Sequence, residues 1–148
     1  MAASDYTSSM LPLNAFGAQS VASGATVAGL EIDTLGFRFL EVVVNTGVVG
    51  ASANGTIAVQ SSATSGGSFT TITGAEFTVL PGDDTTQLRG FIDLDQMPRY
   101  IKLSVTGGTG GASLLAAVAV LSGVNNSTQS IDTGAGGDGE YSFKVMFT

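Results

Sequence analysis

The chain contains no cysteine, no histidine and no tryptophan, and only 11% of its 148 residues are charged. Without His or Cys, the chain by itself cannot supply a Ser-His or Cys-His nucleophile, an imidazole general base, a nitrogen and sulfur zinc site or a disulfide. Most common hydrolase mechanisms are thereby closed, and no enzyme activity, cofactor or metal is expected. Cations are scarce as well: five Lys and Arg stand against twelve Asp and Glu, a formal net charge of −7. Five scattered basic side chains make no phosphate-neutralising patch, so nucleic acid is not an expected partner. Long apolar runs are also missing. The longest, residues 112–121, reaches about half of a bilayer span, so no membrane segment is expected. The opening MAASDYTSSM holds Asp5, no Lys or Arg and no apolar stretch. No secretory signal is read there, and synthesis in a cytosol is the expectation.

What the chain does contain is 43% apolar residues, together with 21 Gly, 16 Ser and 17 Thr. The apolar share argues for a packed core and against disorder, at a length that usually makes one domain. Helical spacing is nearly absent, while β-branched runs bounded by Gly, Asn, Ser and Asp recur throughout. An all-β domain follows.

Residues 37–45, FRFLEVVVN, are apolar on both faces, with Leu40, Val42 and Val44 on one and Phe37, Phe39 and Val43 on the other. Such a strand belongs in the centre of a sheet. Strands are also predicted over 25–30, 55–61, 68–73, 76–80 and 86–94. Two turns are legible: a flexible loop at 63–67, and Pro81-Gly82-Asp83-Asp84, where proline fixes φ and glycine accepts a positive one. Residues 99–106, RYIKLSVT, alternate cleanly, placing Ile101, Leu103 and Val105 inward. Residues 113–121 read as a strand buried on both faces, paired with 99–106 as a hairpin across the glycine-rich 107–111. About eight strands at short, regular spacing predict an antiparallel β-sandwich or jelly roll with extended N- and C-terminal arms.

Ordering a residue costs about 1–2 kcal/mol of backbone entropy, against roughly 1.5–3 kcal/mol gained by burying a large apolar side chain. The Gly- and Ser-rich ends have little to bury. The chain therefore divides into an N-terminal arm over 1–24, a sandwich over 25–123, and a Gly-rich loop with a C-terminal strand or arm over 124–148. Both ends hold apolar islands: Leu11, Leu13 and Phe16 in the first, Tyr141, Phe143, Val145 and Phe147 in the second. An arm with one apolar face can add a strand to its own sheet or to a neighbour's, and an ordinary terminal strand of the domain gives the same pattern. Leu11, Leu13, Phe16, Tyr141, Phe143 and Phe147 are the candidate interface residues. If the first segment is such an arm, deleting 1–24 leaves the domain folded.

Ile131-Asp132-Thr133-Gly134-Ala135 matches the D-T-G-A string of aspartic proteases. That mechanism needs a second carboxylate sharing a proton, and too little chain follows Asp132 to build the rest of such a fold. Asp33-Thr34-Leu35-Gly36 reads as a turn before the central strand. Asp83-Asp84, Asp93-Leu94-Asp95 and Asp138-Gly139-Glu140 could offer oxygens to Ca²⁺, but none has EF-hand spacing, and solvated turn carboxylates are the simpler reading. The glycines at 107–111 lack the Lys-Ser or Lys-Thr of a phosphate loop. With no Trp and three separated Tyr, no sugar-stacking platform is apparent.

Residues 30–47, LEIDTLGFRFLEVVVNTG, resemble a family of small proteins encoded beside the major capsid gene of tailed bacteriophages. There an apolar-Asp-Thr-x-Gly-aromatic turn leads into a long apolar strand ending near Asn-x-Gly. The likeness continues through Ile57-Ala58-Val59-Gln60-Ser61-Ser62 with Phe69 and Ile72, through Arg99-Tyr100-Ile101-Lys102-Leu103, and to Ala117-Val118-Ala119-Val120-Leu121-Ser122-Gly123. Two features depart from it: the hairpin Ser62-Ala63-Thr64-Ser65-Gly66-Gly67 is not acidic, and the tail from Asn125 is extra. The resemblance implies a virion structural protein, a capsid decoration or cement protein. Its implied partner is the major capsid protein, its implied state a homotrimer, and its implied place the outer surface of the head after synthesis in the bacterial cytoplasm. A neck, tail or head-fibre protein, and a carbohydrate- or receptor-binding β-module, are the alternative expectations.

Overall fold

A computed structural model of the protein describes residues 10–51, 54–124 and 143–145. Among the described residues, ten strands make two facing sheets. The first sheet is ordered β1 (Met10–Val21), β9 (Ser113–Val124), β4 (Phe37–Val49), β7 (Gln87–Asp93) and β10 (Phe143–Val145). The second is ordered β2 (Thr26–Ala28), β8 (Tyr100–Thr106), β5 (Gly55–Ser62) and β6 (Thr70–Val79), with β3 (Ile32–Asp33) also on β8. Every pairing is antiparallel except that of β10 with β7. The expected all-β sandwich is the fold.

The core lies between the sheets and follows the predicted alternation. Leu40, Val42 and Val44 of β4 meet Ile101, Leu103 and Val105 of β8 in one buried cluster with Ile57, Val59, Phe77, Ile92 and Leu121. The turns are also as expected. Leu35 N–H donates to Asp33 Oδ1 at 3.0 Å, and Gly36 takes φ +89° before β4 begins. At the other turn Asp83 N–H donates to the Leu80 carbonyl at 3.1 Å around Pro81 and Gly82, the latter at φ +94°.

The connectivity differs from the expected one in two places. Strands β8 and β9 do not form a hairpin: β8 pairs within the second sheet and β9 lies between β1 and β4 in the first. The glycine-rich loop is an arch between sheets, pinned where Gly24 N–H donates to the Gly107 carbonyl and Gly50 N–H to that of Ala112, each at 3.0 Å. Its length suits either connection; the apolar outer side of β9 suits a central position. Residues 68–73 and 76–80 are not two strands but parts of the single β6, bulged opposite Ala58 and Gln60. Gly74 at φ +81° turns the chain within the bulge, so that Ile72 and Ala75 both face the core.

For the segment set apart over 1–24, one of the open alternatives is seen. From Met10 onward it is β1, a full strand of the first sheet, registered on β9 from Met10 opposite Ser122 to Val21 opposite Ser113. It adds to the chain's own sheet because Ala15, Phe16 and Val21 fill the core from the edge. Residues 143–145 likewise pair with the chain's own β7, Phe143 in register with Gly90 and Val145 with Ile92.

Candidate interaction surfaces

Of the six candidate interface residues, the structure takes Phe16 off the surface. A bulge between Asn14 and Phe16 directs Ala15 and Phe16 inward in succession, leaving Phe16 2% exposed. Leu13 is partly buried against the same core, opposite Ala119. Leu11 stays open at 41% exposure. Phe143 is placed in register on β7, and Tyr141 and Phe147 lie outside the described residues. Phe16 therefore does not share a surface with Leu11.

The carboxylates flagged as possible oxygen ligands are engaged locally. Asp83 Oδ2 accepts from the Leu80 N–H at 2.7 Å and Asp84 Oδ1 from the Val49 N–H at 2.6 Å, which ties the β6–β7 loop to the end of β4. The Thr46 hydroxyl completes this tie: its one proton is shared between the Asp83 and Thr86 carbonyls, and it accepts from the Thr86 N–H at 2.9 Å. Asp93 is buried beside Arg38 at 3.7 Å, and its Oδ1 accepts from the Asp95 N–H at 3.0 Å. Among the described residues, no three or more His, Cys, Asp or Glu converge as a metal site, and no helix is long and apolar enough to cross a membrane. The D-T-G-A string with Asp132 lies outside the described residues, as do Asp138 and Glu140.

A polar cluster occupies the end of the second sheet where β3 enters β4. Arg99 holds Asp33 through two hydrogen bonds, and with the Leu35 N–H it lowers the Asp33 carboxyl to about 2. The same carboxylate raises the Arg99 guanidinium. Glu31 accepts from the Ser65 hydroxyl at 2.6 Å and the Gly66 N–H at 2.9 Å, and these bonds lower its pKa. Lys102 lies 4.1 Å above the Phe69 ring. These contacts close the β5–β6 hairpin onto the β2–β3 connection. They present charge at a surface and fix loops.

The broad faces of the two sheets differ. Outward on the second sheet, Thr26, Thr106, Thr56 and Thr78 form a single cross-strand row, one from each neighbouring strand. Outward on the first sheet the rows mix apolar and polar side chains: Pro12, Val120, Glu41 and Phe91 make one, and Asn14, Val118, Val43 and Arg89 the next. Glu41 on this face is bonded by Arg89, with Nε to Oε1 at 2.8 Å. The sequence signal for this face was the two-sided apolar pattern of β4 and β9, which says that both sides want cover but not what supplies it.

No protein-family model and no curated protein matches the chain in sequence. Solved structures do match in shape. The chain is similar to the crystal structure of PBSX exported protein XepA, with a TM-score of 0.58 at 12% identity over 88% of this chain and 43% of that one. It therefore spans less than half of XepA's length, and the likeness is one of fold. Two structures from infectious bursal disease virus, one of the Gx strain and one of the VP2 subviral particle, superimpose with TM-scores of 0.38 and 0.36 at 13% identity. They cover 80% and 76% of this chain and 32% of each of those chains, and such scores fall short of a common fold.

Proposed function

We propose that the chain is a structural protein of a tailed-phage particle, a decoration protein that binds the outer surface of the assembled head and stabilises it. The observation that carries this reading is where the phage-like segments fall. Residues 30–47, 57–62, 99–103 and 117–123 coincide with the turn into β4 and with β4, β5, β8 and β9. All four are interior strands, two in each sheet, so the resemblance covers much of the frame of the fold and not one local turn. The likeness in fold to XepA supports the same reading at the level of architecture. A chain without His or Cys that offers broad sheet faces is suited to cover and clamp.

The energetics require no chemistry. A protein that binds only the assembled shell stabilises it by about 2.7 kcal/mol per site when its free concentration is a hundred times Kd. That gain is repeated at every equivalent lattice position. The major capsid protein is the partner in this reading. The test is to add the purified chain to shells stripped of it: binding with a raised shell melting temperature is expected, and failure of both overturns the reading. Copy number in the particle supplies a second check. A number comparable to that of shell subunits is expected, whereas a handful of copies assigns the chain to a neck, tail or fibre.

A further inference from the structure

Single exposed apolar side chains are ordinary, but a group of them held on fixed backbone marks a contact surface. At the end of the sandwich where β4 stops, Val48, Leu80 and Leu114 are 73%, 52% and 43% exposed. The backbone there is built to hold them. Val48 lies in a bulge of β4 opposite β9, between the buried Thr46 and Val49, which turns it outward. Gly47 beside it leaves room for the Leu114 side chain, since a Cβ at Gly47 would lie 2.7 Å from Leu114 Cδ2. The β6–β7 loop, which begins with Leu80, is fastened to the same bulge: the Thr85 N–H donates to the Gly47 carbonyl at 3.1 Å, and the Val49 N–H to Asp84 Oδ1 at 2.6 Å. Thr85 itself holds φ +53°, a strained conformation for a β-branched residue and the only positive φ among the described residues other than glycine. We propose that this end of the sandwich, Val48, Leu80 and Leu114 with Asp83 and Asp84 beside them, is the surface that docks on the head shell, against an apolar hollow rimmed by lysine or arginine.

This inference rests on the shell-binding reading and names its contact. Charge identifies the chemistry of the partner. The stretches that form this end, residues 21–26, 45–55, 79–88 and 106–114, contain Asp83 and Asp84 and no Lys or Arg. Asp84 is exposed and Asp83 half-buried, each with one oxygen committed to a backbone N–H. Such a surface favours a cationic counterpart, and this chain does not supply one. Arg38, Arg89 and Arg99 are engaged in ion pairs, and Lys102 lies on the Phe69 ring. Lys144 is in register with Phe91, toward the other end of β7. Residues 1–9, 125–142 and 146–148 bring Asp5, Asp132, Asp138 and Glu140 and no cation, so charge disfavours the chain's own ends as the cover. A second copy has the same shortage. A foreign surface with cations around an apolar centre does not.

The test uses the full chain and stripped shells, with Leu35 as the control: it is 66% exposed in the turn before β4, at the opposite end of the sandwich. Val48→Ser and Leu80→Ser are each expected to weaken shell binding about tenfold, as truncation of a docked apolar anchor does, with the melting temperature of the free chain nearly unchanged. Leu35→Ser binds like the unsubstituted chain. Binding of the unsubstituted chain also weakens several-fold as salt rises from about 0.05 M to about 0.5 M. If the unsubstituted chain binds and either serine variant binds as tightly, or if Leu35→Ser loses as much, the docking surface lies elsewhere and this assignment alone falls. Binding that ignores salt overturns the cationic rim. If the unsubstituted chain does not bind shells at all, the shell-binding reading falls and this assignment with it.

Discussion

Asp33 and Arg99 meet in a two-pronged ion pair across the β3–β8 pairing, with Nε 2.8 Å from Oδ1 and Nη2 2.7 Å from Oδ2. The pair joins the turn that launches the central strand β4 to a strand of the opposite sheet.

Its consequence is a defined acid sensitivity. Asp33 is held at about 2 against an ordinary 3.8, and Glu31 is lowered in the same sense by Ser65 and Gly66. The folded chain keeps both carboxylates charged where the unfolded chain already binds protons. Their contribution is complete above the ordinary carboxylate values and is lost as pH falls through the folded ones. Both groups are exposed, so the effect is modest and weakens with salt. The melting temperature measured from about pH 5 to about pH 2 therefore declines, and Asp33→Asn flattens the lower part of that decline. An unchanged profile for Asp33→Asn counts against the pair as a source of stability.

Gly29 sits where the two sheets are stitched at one side of the sandwich. Its N–H donates to the Leu103 carbonyl at 2.8 Å in the second sheet, while the next residue, Leu30, donates to the Ala15 carbonyl at 2.9 Å in the first. A Cβ at Gly29 would fall against the Ala15 carbonyl oxygen and 3.3 Å from Leu103 Cβ. Backbone cannot rotate aside as a side chain can. Gly29→Ala is expected to destabilise by about 1–3 kcal/mol, as overpacking does. Gly17, with no atom within 4 Å of its own Cβ position, is the control, and Gly17→Ala should leave the melting temperature nearly unchanged.

Thr46 is a buried hydroxyl on which the β6–β7 loop depends. It serves the Asp83 carbonyl and both the carbonyl and the N–H of Thr86. Thr46→Val keeps the shape and removes every one of these bonds. The Thr86 carbonyl keeps the Thr46 backbone N–H at 2.9 Å, so the Thr86 N–H and the Asp83 carbonyl, both part-buried, lose a partner, at a cost of about 1 kcal/mol. Hydrogen exchange at the Thr86 amide should accelerate strongly in this variant while amides of β8 stay protected. Equal acceleration at both sites would mean that the loop is not a separate unit.

Sequence patterns revealed much of the frame, for physical reasons that also explain the misses. The alternation in Ile101, Leu103 and Val105 and the two-sided apolar run of β4 report burial directly, and burial is what the sandwich provides. Partner choice is another matter. Whether 99–106 pairs with 113–121 depends on which sheet each strand joins, a non-local competition that a short glycine loop does not record. The merging of two predicted strands into β6 has the same origin, since Thr73-Gly74 reads as a break until a bulge lets Ile72 and Ala75 both point inward. The surface was the least legible part. Leu114 and Val118 look like core in sequence, and only the sheet order shows that one side of β9 has no second layer among the described residues.

Phe16 gives the sharpest test of whether β1 is part of the folded unit. Taken as part of an arm, it should be dispensable for folding. The structure instead buries it beside Ala15 and Val21 at the edge of the core, with β1 paired to β9 along most of its length. A buried phenylalanine cut back to alanine loses transfer energy and leaves a cavity, together about 3–5 kcal/mol. Phe16→Ala should therefore lower the melting temperature steeply, and Leu11→Ala, at a largely exposed position, should lower it little. Deleting the chain through Val21 removes an entire strand and exposes the β9 edge, so cooperative unfolding should be lost and aggregation should follow. Retention of a sharp thermal transition after that deletion would mean that the folded unit begins near residue 25 and would return Phe16 to the candidate interface.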